Sequence, residues 1–170
     1  NISREHLELL SQNFRNIDET TKEIINLEAI LSLPKGTEHF LSDIHGEYEA
    51  FDHILRNGSG VIKEKLKEVF GNRLPKKELN LLATIIYYPE EKLNLLKKEL
   101  GNQEYKEYQK ILLLRLLEVT QIAARKYTRS KVRKLLPKNF DYIIEELLYK
   151  MQNRDKEDYY EKILENIIEL

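Results

Sequence analysis

Along most of this chain apolar residues recur every three or four positions, the period of an amphipathic helix. The stretch Ser3 to Phe14 carries Leu7, Leu10 and Phe14 at that spacing. Asp18 reads as an N-cap before Ile24, Ile25, Leu27, Ile30 and Leu31, and Pro34-Lys35-Gly36 stops this second helix. The pattern then changes. Glu38-His39-Phe40-Leu41-Ser42-Asp43 is short and apolar-centred, and it predicts the single strand of the chain, over 37–43. A helix with Tyr48, Phe51, Ile54 and Leu55 on one side follows and closes at Asn57-Gly58, where glycine suits a left-handed cap. Everything beyond Gly60 reads as helix. Val61 to Phe70 ends at Gly71-Asn72; Pro75 opens a helix reaching Tyr88; Pro89 opens another that ends at Gly101-Asn102. A long helix carries a seam of Tyr105, Tyr108, Leu112, Leu116, Val119 and Ala123. Pro137 separates the last two helices, which reach Leu170 without a stop signal. The fold class expected is mainly α with one short strand.

Composition narrows the function classes. The 170 residues suffice for one domain with a real core. Charged residues make up 34 %, above the roughly 25 % usual in globular domains, which fits helices with solvated outer faces. Lys+Arg is 28 and Asp+Glu 29, so the net charge is −1, a balance that argues against a dedicated nucleic-acid or membrane-surface partner. There is no cysteine, which removes disulfides, thiolate metal sites and thiol catalysis. No apolar run approaches the ~18 residues of a membrane span, and the charged N-terminal stretch lacks a signal core. A cytoplasmic location is expected. The chain begins at Asn1 and its single methionine is Met151, so a processed chain or a fragment is expected.

The candidate chemistry lies in Ser42-Asp43-Ile44-His45-Gly46-Glu47. Two residues apart in an extended segment, Asp43 and His45 project from one side, and a carboxylate and an imidazole can converge on one divalent cation such as Mn, Fe or Zn. Gly46 lets the chain bend into a helix whose N–H groups and positive dipole end favour a phosphate at the same spot. Strand, ligands and helix start suggest a metal-assisted phosphoester site. The competing reading makes Asp43 a helix N-cap and His45 a turn residue with a backbone partner.

Asp-x-His-Gly after a strand resembles the first motif of the calcineurin-like metallophosphoesterases. The wider run from Leu33 through Phe51, continuing Leu55-Arg56-Asn57-Gly58-Ser59-Gly60, closely resembles class III bacterial fructose-1,6-bisphosphatase, as does the helical stretch from Val61 to the basic run near Arg133. The resemblance implies an α/β metallophosphoesterase sandwich with a helical insertion, binding two divalent ions, most often manganese. It implies hydrolysis of fructose 1,6-bisphosphate to fructose 6-phosphate and phosphate in gluconeogenesis, by two-metal activation of a bridging hydroxide. Asp43 and His45 match first-metal ligands, and Gly46 the turn glycine. The family's Gly-Asp-x-x-Asp-Arg-Gly and Gly-Asn-His motifs are not present; Gly71-Asn72 is followed by Arg73 and Gly101-Asn102 by Gln103. The expectation is an N-terminal part of a larger enzyme, inactive alone, with residues 1–60 as N-terminal helices plus the first βα unit and 61–170 as a truncated helical insertion. A sugar bisphosphate substrate and a homo-oligomer are expected, and neither nucleic acid nor membrane as partner.

Further candidates have simpler readings beside them. His39 is a partner behind the metal ligands or a core or interface histidine, the latter favoured. Glu47 is a proton-transfer group or an acid serving the helix dipole, the latter simpler. Arg56 can help grip a phosphate beside Asn57, which also caps its helix. His53 and His6 read as surface residues. The basic run of Arg125, Lys126, Arg129, Lys131, Arg133, Lys134 and Lys138 reads as a solvated face beside the acidic helices that follow, with anion binding as the alternative. The tyrosines read as core or rim. Alternative functions are another metallophosphoesterase (protein phosphatase or dinucleotide polyphosphate hydrolase) or a helical regulatory or oligomerisation module without chemistry.

Overall fold

The computed structural model describes residues 2–36, 38–149 and 156–169. They form ten α-helices: α1 (Arg4–Asn13), α2 (Ile17–Leu31), α3 (Tyr48–Asn57), α4 (Val61–Phe70), α5 (Lys76–Tyr87), α6 (Pro89–Glu99), α7 (Asn102–Ala124), α8 (Arg129–Leu135), α9 (Asp141–Leu148) and α10 (Glu157–Glu169). The mainly α expectation holds. The strand expected over 37–43 is not formed: residues 38–43 run as irregular chain, and no strand occurs among the described residues. A strand needs a neighbour to take its N–H and C=O groups, and no second segment here supplies one.

Local chemistry sets most helix ends. The cap of α2 is Asn16 rather than Asp18: Asn16 Oδ1 accepts the Glu19 N–H at 2.8 Å, while the Glu19 carboxylate reaches back to the Arg15 N–H at 3.0 Å. That near-reciprocal pair satisfies two free donors, and Asp18 falls in the first turn. Gly58 caps α3 at φ 56°, and Ser59 and Gly60 continue the left-handed turn into α4. Pro89 opens α6 at its first position. The long helix stops at Ala124 instead of running through the basic stretch, because Thr128 Oγ1 accepts the Lys131 N–H at 3.3 Å and starts α8. Leu136, ahead of Pro137, is extended and ends α8. Beyond Pro137 the pattern resolves into α9, closed at Tyr149, and α10.

Two apolar cores form, and α7 serves both. The first joins Leu66 and Phe70 of α4, Leu82, Ala83 and Ile85 of α5, Leu96 of α6 and Leu112 of α7. The second joins Leu117 of α7, Val132 of α8, Leu147 and Leu148 of α9, and Tyr160 and Leu164 of α10. Side-chain pairs rivet the same contacts. Arg115 of α7 meets Glu78 of α5 at 2.8 Å, Arg73 pairs with Glu118, and Gln121 Nε2 donates to the Leu148 carbonyl at 2.7 Å. Arg133 holds Glu145 with two bonds of 2.6 and 2.9 Å, joining the basic run to the acidic helix after it.

The N-terminal arm is different. Among the described residues of 2–47 none is buried, and Ile17 (83 %), Leu31 (85 %) and Phe40 (90 %) are largely exposed. No helix among the described residues is long and apolar enough to cross a membrane.

Two outcomes follow for stability. Leu66 is fully buried, so Leu66→Ala is expected to cost about 2–5 kcal/mol by urea unfolding; a change below 1 kcal/mol would contradict the first core. The Arg133 guanidinium holds the Glu145 carboxyl below its ordinary range. A depressed carboxylate adds stability that is complete at neutral pH and lost as pH falls through its folded value. Unfolding midpoints of wild type and Arg133→Gln should therefore differ at pH 7 and converge in acid.

Candidate metal centre

Residues 42–47 link the arm to α3. Asp43 (φ 35°), His45 (φ 50°) and Gly46 (φ 76°) all occupy the left-handed region. Glycine accepts that conformation; for the other two it costs on the order of 1 kcal/mol or more each, and such strain clusters at ligand and active sites. The turn is closed by the Glu47 N–H on the Ile44 carbonyl at 3.0 Å and the Tyr48 N–H on the Gly46 carbonyl at 2.9 Å.

This turn, rather than a strand, brings the two side chains together. His45 Nε2 lies 3.0 Å from Asp43 Oδ2, with the side chains 76 % and 71 % exposed. Neighbouring donors at right angles on an ion with bonds of about 2.1 Å stand about 3 Å apart. The pair therefore fits two adjacent positions on one divalent cation. No group of three His, Asp or Glu side chains able to hold a metal occurs among the described residues, so a cation placed at the Asp43–His45 pair would find only these two side chains there.

The remaining candidates fall as follows. Asp43 does not cap α3; Glu47 occupies that position, without a side-chain cap bond, and Glu49 is the acid of the first turn. No side chain caps the first turn of α3; the Tyr48 N–H is taken by the Gly46 carbonyl, and a helix start without a side-chain cap is where an anion can bind. His39 does not join the pair. It is exposed and lines a cavity of about 430 Å³ with Val61, Lys65, Val119 and Tyr127. Arg56 is engaged by Asp52 Oδ2 at 2.6 Å, the Tyr87 carbonyl at 3.1 Å and the face of Tyr88. Its hydrogen bond to Asp52 raises its pKa further. Asn57 Oδ1 accepts the Gly60 N–H at 3.1 Å, a turn role. His6 is exposed.

Two features escape sequence reasoning. One is the left-handed backbone at Asp43 and His45, for which only Gly46 gives a local signal. The other is His53, exposed as expected but within 2.6 Å of the Tyr88 hydroxyl through Nδ1; a partner 35 residues away leaves no trace in spacing. In the basic run, Arg129 and Lys131 lie over the Tyr149 and Tyr127 rings at 4.4 and 4.9 Å. Tyr105 and Tyr108 pack on the first core and Tyr149 on the second, while Tyr142 is exposed.

The family model described as "Firmicute fructose-1,6-bisphosphatase" matches residues 5–170. The class 3 fructose-1,6-bisphosphatase of Listeria innocua serovar 6a is 53 % identical over 171 residues, covering 100 % of this chain and 26 % of that protein. The protein of the same name from Alkaliphilus metalliredigens is 58 % identical over 166 residues, covering 97 % and 25 %, and that from Clostridioides difficile is 52 % identical over 171 residues, covering 100 % and 26 %. The chain spans about a quarter of the length of these relatives. No solved structure matches it.

Asp43 and His45 are exposed, and their polar side-chain contact is with each other. Asp43→Ala and His45→Ala are therefore expected to leave the urea midpoint of the chain within about 0.5 kcal/mol of wild type. A larger loss would mark the pair as structural.

Proposed function

The chain belongs to the Firmicute fructose-1,6-bisphosphatase family, and on that premise we propose that it is part of a phosphoric monoester hydrolase acting on fructose 1,6-bisphosphate. The products are fructose 6-phosphate and phosphate. The observation that carries this reading is the strained loop that sets Asp43 Oδ2 and His45 Nε2 3.0 Å apart. The two side chains offer one anionic and one neutral donor to the same divalent cation, manganese in this reading.

When bound, such a cation stabilises the negative charge that develops on phosphate oxygens during hydrolysis. The chain's own residues prepare the place. Asp43 and His45 are presented on a turn whose backbone is already in the binding conformation, which lowers the ordering cost of holding an ion. Gly46 permits the reversal that puts α3 directly behind the ligands. The uncapped N-terminus of α3 favours a phosphate group beside them. Glu47, at the N-cap position, complements the helix dipole and takes no catalytic part in this reading. Two ligands do not make a two-ion site, so the 170-residue chain alone is inactive.

The test uses a protein of the relatives' length that carries this sequence. Asp43→Asn keeps shape and removes the charge, and manganese-dependent phosphate release from fructose 1,6-bisphosphate is expected to fall by about 100-fold. Unchanged activity would reject the assignment, as would turnover by the 170-residue chain on its own. Faster release from a phosphoprotein or a dinucleotide polyphosphate than from the sugar bisphosphate would move the substrate within the same chemistry.

A further inference from the structure

Helix α3 carries the Asp43–His45 loop into the body of the molecule, where Phe51 and Ile54 are half-buried and its directional contacts are polar. Upstream of it no described residue is buried. Downstream, neither apolar core includes a side chain from α3. What grips it is a cluster at the corner between α5 and α6. Arg56 binds the Asp52 carboxylate of its own helix and the Tyr87 carbonyl, and its guanidinium lies 5.2 Å from the centre of the Tyr88 ring. His53 Nδ1 meets the Tyr88 hydroxyl at 2.6 Å, its ring within 9° of parallel to that of Tyr88 and 5.9 Å from it. The Tyr87 ring stands edge-on to His53 at 6.1 Å.

The corner is the rigid side of this contact. Tyr87 packs on the first core. Tyr88 ends α5 and caps α6, and its backbone (φ −135°, ψ 67°) lies outside the helical region, which Pro89 after it disfavours. A ring fixed at such a corner has little freedom to follow α3; α3 must conform to it.

We propose that Tyr88, acting through His53 and Arg56, is a positioning residue for the metal-ligand loop. It sets the orientation of α3 on the α5–α6 corner, and so the attitude in which Asp43 and His45 meet a cation. The proposal rests on the reading of those two residues as ligands. The lever arm makes the effect large enough to matter. His53 lies five residues beyond Tyr48, about 7.5 Å along the helix axis, so a tilt of about 10° about His53 moves the start of α3 by more than 1 Å. Metal ligands tolerate about 0.2 Å.

The experiment again uses a protein of the relatives' length, and reads manganese binding directly from the electron paramagnetic resonance of unbound Mn²⁺. Tyr88→Leu removes ring and hydroxyl and is expected to weaken Mn²⁺ binding by about three-fold or more. Tyr88→Phe, which keeps the ring under Arg56, should weaken it less. Leu79→Ala loosens the first core without touching the cluster, and should lower the unfolding midpoint while leaving Mn²⁺ binding at the wild-type value. Wild-type binding by Tyr88→Leu overturns the proposal, and so does an equal loss in Leu79→Ala, which would assign the effect to general loosening. Asp43→Asn separates the two levels: if it weakens binding while Tyr88→Leu does not, the ligand assignment stands and only the positioning role falls; if Asp43→Asn binds as wild type, the ligand assignment itself has failed.

Discussion

Helix α7 has to bury two apolar stripes that lie about 120° apart around its axis. Tyr105, Tyr108, Leu112, Leu116 and Val119 form one and pack in or against the first core; Leu113, Leu117 and Ala124 form the other and pack in or against the second. A helix with one apolar face would be satisfied by one layer of neighbours. Two faces demand two groups, so α4, α5 and α6 gather on one side, and α8, α9 and α10 on the other. At 23 residues, α7 is about 35 Å long. The pairs Arg115–Glu78, Arg73–Glu118 and Gln121–Leu148 then fix the neighbours along that length. Their exposed members add little energy, and their use is in selecting one register from several that burial alone would allow.

The arm before α3 obeys a different balance. It has good local caps, at Ser3 and Asn16, and clear amphipathic patterning, yet its apolar side chains remain outside both cores. In this setting the loop before α3 keeps its left-handed backbone at Asp43 and His45, though neither side chain is buried to compensate. Short-range hydrogen bonds of the turn, the freedom of Gly46 and the start of α3 directly behind are what oppose that strain. A bound cation would add to the same side of the balance, because the conformation that is costly without it is the one that places both donors at ligand spacing.

Sequence reasoning reached most helices because their signals are local. Pro75, Pro89, Gly58 and the three- and four-residue spacing act within one or two turns, and each element so marked is present. It failed where the deciding partner was distant or the competing signal was subtle. The seam from Tyr105 to Ala123 revealed one stripe of α7; the second was hidden because overlapping stripes look like general hydrophobicity. The stretch 37–43 has strand composition, but strand formation is a property of pairs. The cap at Asn16 outcompeted Asp18 through Glu19, three residues further on. At the site, Asp-x-His-Gly singled out two residues whose side chains do meet, although the route by which they meet is a left-handed turn instead of an extended segment. The His53–Tyr88 contact was out of reach altogether.

The manner of α3's attachment matters for what its N-terminus carries. Apolar contacts are non-directional, so a helix held by them alone can slide or roll by about an ångström at small cost before packing objects. Hydrogen bonds of 2.6 Å and 3.1 Å, together with a guanidinium over a ring, lose energy steeply with angle as well as distance. For the proposed role of offering two donors to one ion, with a tolerance of tenths of an ångström, the second kind of joint serves better. Asp52, His53 and Arg56 supply it from one face of α3, and Tyr87 and Tyr88 receive it at a corner that proline and a buried core hold still. The price is sensitivity: a joint whose orientation is set by a few directional bonds transmits the loss of any one of them to the loop, where apolar contact alone would have absorbed it.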